Sequence, residues 1–181
     1  MPAGSIRPAA KGAPTMDITP ATWDHRLAAL WVSLDDFAQN DFRARMDHLI
    51  AELSPNDPIG LFERAAAFDS TGNSDLAVPL YRQALEQGLS GLHRRRAVIQ
   101  LASSLRNLGQ SGESVALLTA ERDAPSDELD DAVTAFLALA LVDVGHERAA
   151  ISLALSALAR HLPRYQRSVA NYARLLDGGT S

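Results

Sequence analysis

The sequence predicts an all-α fold, an α-solenoid of stacked antiparallel helix pairs with a C-terminal capping helix. Three observations predict it. Glycines recur at Gly72, Gly109 and Gly145, 37 and then 36 residues apart, and a fixed period in this range marks a stacked array of helical hairpins. Ahead of each glycine lie a small residue (Ala65, Ala102, Ala138) and then a large apolar one (Phe68, Leu105, Leu141) at matching distances. After each glycine three further columns repeat: Ala77, Ser114 and Ala150; Tyr81, Leu118 and Ala154; Ala84, Glu121 and Ala157.

Each column has a physical reason. Two helices joined by a short turn approach closely only where their facing side chains are small, and the large residues fill the space beside those contacts. Glycine just past the first helix supplies a left-handed backbone conformation at little cost. A single hairpin cannot bury its own apolar face, so neighbours must stack on it.

These columns resemble the tetratricopeptide repeat family. Ala65, Phe68, Gly72, Ala77, Tyr81 and Ala84 match its pattern closely, the third copy lacks an aromatic at Ala154, and the middle copy carries Ser114 and Glu121 where alanine is usual. The resemblance implies a right-handed superhelix of helix pairs whose concave groove binds peptides or proteins, with the first helix of each pair lining that groove.

Composition narrows the partner class. Of 181 residues, 46% are hydrophobic and 22% charged, enough for one domain with a sizeable core. The net charge of −5 argues against a nucleic-acid or anionic-membrane surface, which calls for a basic footprint. The absence of cysteine excludes a disulfide framework, a thiolate nucleophile and a cysteine metal site. A cytoplasmic location is the default expectation.

The expected organisation is a disordered tail over 1–18, followed by one helical-repeat domain over 19–177. That domain comprises a degenerate N-terminal pair (19–54), three repeats (57–89, 90–125 and 126–162) and a capping helix (163–177). Thr19 and Pro20 open the first helix as N-cap and first helical residue. Trp23, Leu27, Leu30, Trp31 and Leu34 form its apolar stripe. The two tryptophans read as core anchors, or else as the face of a helix that docks on another molecule. Asn40 is expected to cap a second helix running to Leu53. Asp57 should cap the third helix, with Pro58 at its start. Ser90, Ser111 and Ser126 should cap later ones. Pro79 is expected in the first turns of its helix, where amides lack partners. Arg164 to Leu176 is the closing helix, with Tyr165, Val169, Tyr172, Leu175 and Leu176 inward and Arg167, Asn171 and Arg174 outward.

No catalytic constellation is visible. The five histidines show no metal-ligand spacing with carboxylates, so no metal site and no cofactor are expected. No glycine-rich phosphate loop follows a strand, no nucleophile stands at a suggestive spacing from a base, and the chain is not expected to be an enzyme.

Binding residues follow from helical phase and the groove that the resemblance implies. The candidates are Phe62 and Asp69 in the first copy, Arg96, Gln100, Ser103, Arg106 and Asn107 in the second, and Phe136 and Asp143 in the third. The middle helix is the polar one, suited to hold a peptide backbone or an acidic group between Phe62 and Phe136. Family members that grip acidic chaperone tails use basic and Asn side chains. Here Phe62, Ala66, Ala132 and Phe136 occupy the matching outer positions and only Gln100 fits, which argues against that ligand.

Two electrostatic matches are expected as well. Asp69, Arg106 and Asp143 fall at equivalent points of successive helices, so stacking should let the arginine bridge both aspartates, as a register-fixing ladder or as a ligand-gripping group. His93-Arg94-Arg95-Arg96 should meet Asp127-Glu128-Leu129-Asp130-Asp131 in cross-repeat ion pairs. The functional expectation is a non-catalytic adaptor that binds a protein or peptide segment in its groove. The alternatives are a self-associating, homodimeric structural protein and a regulatory subunit of a separate effector.

Overall fold

The computed structural model describes residues 22–178, and every observed regular element among them is helical. In chain order these are α1 (Trp23–Val32), a 3-10 turn (Leu34–Asp36), α2 (Gln39–Ile50), α3 (Pro58–Ser70), α4 (Ser74–Glu86), α5 (Gly91–Asn107), α6 (Ser111–Arg122), α7 (Asp130–Asp143), α8 (Glu147–Ala159) and α9 (Gln166–Asp177). The tail and the Thr19-Pro20 cap lie outside the described residues.

Each helix packs on the next, and α5 also touches both α3 and α7. The architecture is therefore an α-solenoid of helix pairs. The three turn glycines take φ of 78°, 75° and 80°. Each turn closes with the same pair of bonds. Asn73, Gln110 and His146 donate their amides to the carbonyls of Phe68, Leu105 and Leu141, while the glycine amides reach Asp69, Arg106 and Val142. This double closure requires a left-handed residue at the glycine position. The small columns lie buried at the helix contacts, Ala65, Ala77, Ala84, Ala102 and Ser114 completely so. One apolar cluster fills the space between α3, α4 and α5, and another the space between α5, α6 and α7.

The N-terminal pair closes one end of the stack. Phe42, Met46 and Ile50 of α2 join Ala67 of α3, with Leu27, Leu30 and Trp31 against them. Both tryptophans are anchors within the chain: Trp23 Nε1 donates to the Leu49 carbonyl at 2.9 Å and Trp31 Nε1 to Glu63 Oε2 at 2.7 Å.

Several caps differ from expectation. Asp57 accepts from the amides of Ile59 and Gly60 ahead of Pro58, as its position predicts. The hydroxyl of Thr22 accepts from the His25 amide at the start of α1. Asn40 is no cap: it lies inside α2, where Arg43 donates to its side chain, and α2 stops at Ile50 short of Leu53. Ser90 stands at the N-cap of α5 without a side-chain bond. Ser111 is the first residue of α6 and donates to Asp143 instead, a cross-repeat partner that local reading cannot foresee. Ser126 precedes α7 by a turn and donates to Asp130. Pro79 is the sixth residue of α4, past the free amides; it costs the Asp75 carbonyl its helical partner, and both residues are exposed to solvent.

Candidate partner-binding groove

The first helices α3, α5 and α7 run side by side, and α5 lies between the other two. One face of α5 is Ala97, Leu101 and Leu105 in the core, the other Arg96, Gln100 and Ser103, each partly exposed. The placement of these polar side chains depends on aromatic groups beneath them. Phe62 is fully buried, with the Arg96 guanidinium 5.0 Å above its ring centroid and His93 edge-on at 5.7 Å. Tyr81 comes up from α4 and donates its hydroxyl to Gln100 Oε1 at 3.0 Å. Burial pushes the Tyr81 hydroxyl well above the usual phenol range, with Asp69 and Glu63 adding to it, so Tyr81 stays a donor.

Glu63 lies under this group and is 2% exposed. Burial raises its carboxyl above the ordinary glutamate value, against the opposing pull of its Trp31 hydrogen bond and of Arg96 and His93. Glu63 is not among the residues expected from the sequence. Its signal was a charged residue on the apolar side of a helix, between Phe62 and Ala66.

The expected bridge from Arg106 to two aspartates is half present. Arg106 Nε donates to Asp143 Oδ2 at 2.6 Å, and Ser111 donates to the same oxygen at 3.2 Å. The Arg106 bond, first, and the Ser111 bond hold the Asp143 carboxyl below the usual range. Asp69 is taken by other partners: Ser104 donates to its Oδ1 at 2.8 Å and Ser74 at 3.3 Å. Two neutral hydroxyls on adjacent helices satisfy it, and Arg106 turns the other way. Asn107 donates to Ser74 at 3.3 Å and joins the same chain of bonds. Phe136 is half-buried against the second cluster, and Phe62 is core rather than an exposed apolar contact. Of the nine candidates, Arg96, Gln100 and Ser103 thus share one partly exposed patch, while Asp69, Arg106, Asn107 and Asp143 are engaged within the chain.

The basic and acidic helix starts do meet. Arg95, 3% exposed, donates to Asp130 at 2.7 Å and to the Pro125 carbonyl at 2.7 Å. Its Nε lies 3.3 Å from Asp127 and 3.8 Å from the buried Glu121. Arg94 donates to both Glu121 oxygens at 2.8 and 2.9 Å. Glu121, which replaces the usual alanine of the second hairpin, is thereby paired rather than stranded.

A family model described as Tetratrico peptide repeat matches residues 58–176, which span the three hairpins and most of α9. The chain belongs to the tetratricopeptide repeat family. Comparison with curated proteins and with solved structures gave no match. Tetratricopeptide repeats generally mediate protein–protein interaction and typically form non-catalytic scaffolds. Among the described residues, no group of three His, Asp or Glu side chains could hold a metal ion, and no helix is long and apolar enough to cross a membrane.

Proposed function

We propose that this tetratricopeptide repeat protein is a non-catalytic adaptor of the cytoplasm that holds a protein or peptide segment against α5. The observation that carries the reading is the pair Arg96 and Gln100. Arg96 stacks on Phe62 and forms no ion pair among the described residues. Gln100 has its oxygen occupied by Tyr81, which leaves its Nε2 to donate outward. Both are donors fixed by rings that are already buried, so little ordering remains to be done when a ligand arrives. Ser103 continues the patch one turn along α5. A peptide segment that presents backbone carbonyls or a carboxylate matches such donors, and charge assistance strengthens the Arg96 contact.

Peptides selected from a random library on the intact chain test this reading. Their affinity for an Arg96→Ala/Gln100→Ala double variant should fall by about tenfold to a hundredfold, the loss expected for one or two bonds of this kind. Peptides that bind both proteins equally well would place the binding surface elsewhere. Self-association is the second reading, favoured by apolar faces that the described residues leave uncovered on α8 and α9.

A further inference from the structure

Among the described residues, the apolar spine stays open at its C-terminal end. In the first hairpin, Val78 and Tyr81 of α4 are buried and Leu85 is partly buried, in the cluster that α5 completes. In the second, Leu118 of α6 is buried and Val115 partly buried in the cluster that α7 completes. The same columns in the third hairpin are Ile151, Ala154 and Leu158 of α8, and all three are exposed. The helix that follows does not cover them. Tyr165, at φ 67°, leads the chain to another face of α8, where Ser152 donates to the Ala173 carbonyl at 2.7 Å. α9 packs along α8 and has no extended contact with α7. The C-terminal helix expected from the sequence thus covers one face of α8 and leaves the column of Ile151, Ala154 and Leu158 open. What remains is a cleft of about 360 Å³ with aliphatic walls, Leu139 and Val142 on α7 facing Ile151 and Ala154 on α8.

α9 has the complementary defect. Ala173 is buried against α8 and Val169 partly so. Tyr165, Tyr172 and Leu175, at helical spacing, are two-thirds or more exposed. We infer that α9 of a second copy lies in the α7/α8 cleft, where the next first helix of the array would stack, and that two copies exchange this contact about a two-fold axis.

Several features select a second copy as the occupant. Acceptor and donor lie at the same end of one chain, so one two-fold rotation can satisfy both and close the assembly. Ala154 is small where Tyr81 and Leu118 fill the earlier hairpins, which leaves room for a ring from outside. Covering Tyr165, Tyr172 and Leu175 together with Leu139, Val142, Ile151 and Leu158 removes roughly 700–800 Å² per copy from water, the size of a stable interface.

Light scattering on the full chain over a concentration series tests the inference. Wild type should show twice the single-chain mass at micromolar concentration. Ile151→Glu spoils the cleft and Tyr172→Arg spoils the helix face; each alone should give the single-chain mass, a loss of at least about tenfold in dimer affinity. Both sites are exposed within the chain, and circular dichroism checks that helix content is kept. Should Ile151→Glu lower it, Leu139→Glu on α7 serves in its place. Equal mixing of the cleft and helix variants should restore the two-chain mass, because one intact α9 meets one intact cleft and the two introduced charges attract. A wild type that stays single-chain throughout overturns the inference. So does a dimer that either variant leaves intact, or a mixture that fails to recover.

Discussion

Arg95 and Glu63 are both almost completely buried, and their situations differ. Arg95 is surrounded by acceptors from the loop before α7 and from α6, so the ion cluster locks the second hairpin to the third. Removing it takes the shared cation from Glu121, Asp127 and Asp130, leaving Arg94 on Glu121 and Ser126 donating to Asp130. Arg95→Ala should therefore cost about 3 kcal/mol, at the lower end for breaking a buried pair, read from denaturant midpoints; a loss well under 1 kcal/mol would mean the cluster is solvated. Among the described residues Glu63 has only the Trp31 indole as a hydrogen-bond partner, and its carboxyl is raised by burial. The folded chain thus keeps a proton that the unfolded chain has already lost. Stability declines as pH climbs from the ordinary glutamate value to the raised one and levels off above it. Glu63→Gln keeps an acceptor for Trp31 and removes the charge. Its melting midpoint should exceed that of wild type at neutral pH, with the gap closing as pH falls through that window; a gap independent of pH would refute this. Asp143 has the opposite sign. Its carboxyl is lowered, first by Arg106, so its contribution is complete above the ordinary aspartate value and disappears as pH falls through the lowered one.

At the scale of the element, the turn glycines and the helix glycine of the second hairpin make a controlled pair. Gly109 sits at φ 75° and Gly112 within α6, and an added Cβ meets nothing within 4 Å at either. Space is equal, so the backbone alone decides. Gly109→Ala should lose about 1–2 kcal/mol, because L-residues with a Cβ disfavour the left-handed region. Gly112→Ala should gain about 0.5 kcal/mol through helix propensity. Thermal unfolding of the two variants side by side checks both signs, and equal effects would contradict the role given to the Gly109 turn. Serine caps show the limit of local reading. Ser111 and Ser126 are typical cap residues, yet carboxylates at the two ends of α7, Asp143 and Asp130, compete for their hydroxyls.

Across the whole molecule, stability should grade from the ends to the middle, since each element contacts only near neighbours. α1 has no buried residue, whereas α5 contributes to both central clusters. In the Tyr172→Arg single chain, amide hydrogen exchange should release α1 and α9 before α3 to α7, with the α5 amides slowest. Uniform protection along the chain would instead indicate a single cooperative block. The uncovered α7/α8 cleft belongs to this scale too, because no single helix discloses whether its successor will stack on it or pass to another face.

The sequence by itself determined the periodic part of this protein: all-helical content, three hairpins, the Gly72, Gly109 and Gly145 turns, and the small columns of the contacts. Those features are legible because each repeats one local requirement, a left-handed turn residue or a small side chain at a crossing. Of the expected match between His93–Arg96 and Asp127–Asp131, the pairing of Arg95 with Asp127 and Asp130 was legible, since stacking at a known period places successive helix starts side by side; Arg94 and Asp131 pair instead with Glu121 and with Arg160 and His161. Tertiary structure alone decided the rest. It turned Asp69 to Ser74 and Ser104 rather than to Arg106, sank Glu63 beneath Arg96, and carried α9 past the open face of α8. Each of these outcomes is a choice among partners of similar chemistry separated by tens of residues. Such choices turn on side-chain direction and on the path of one connecting segment, which periodicity does not encode.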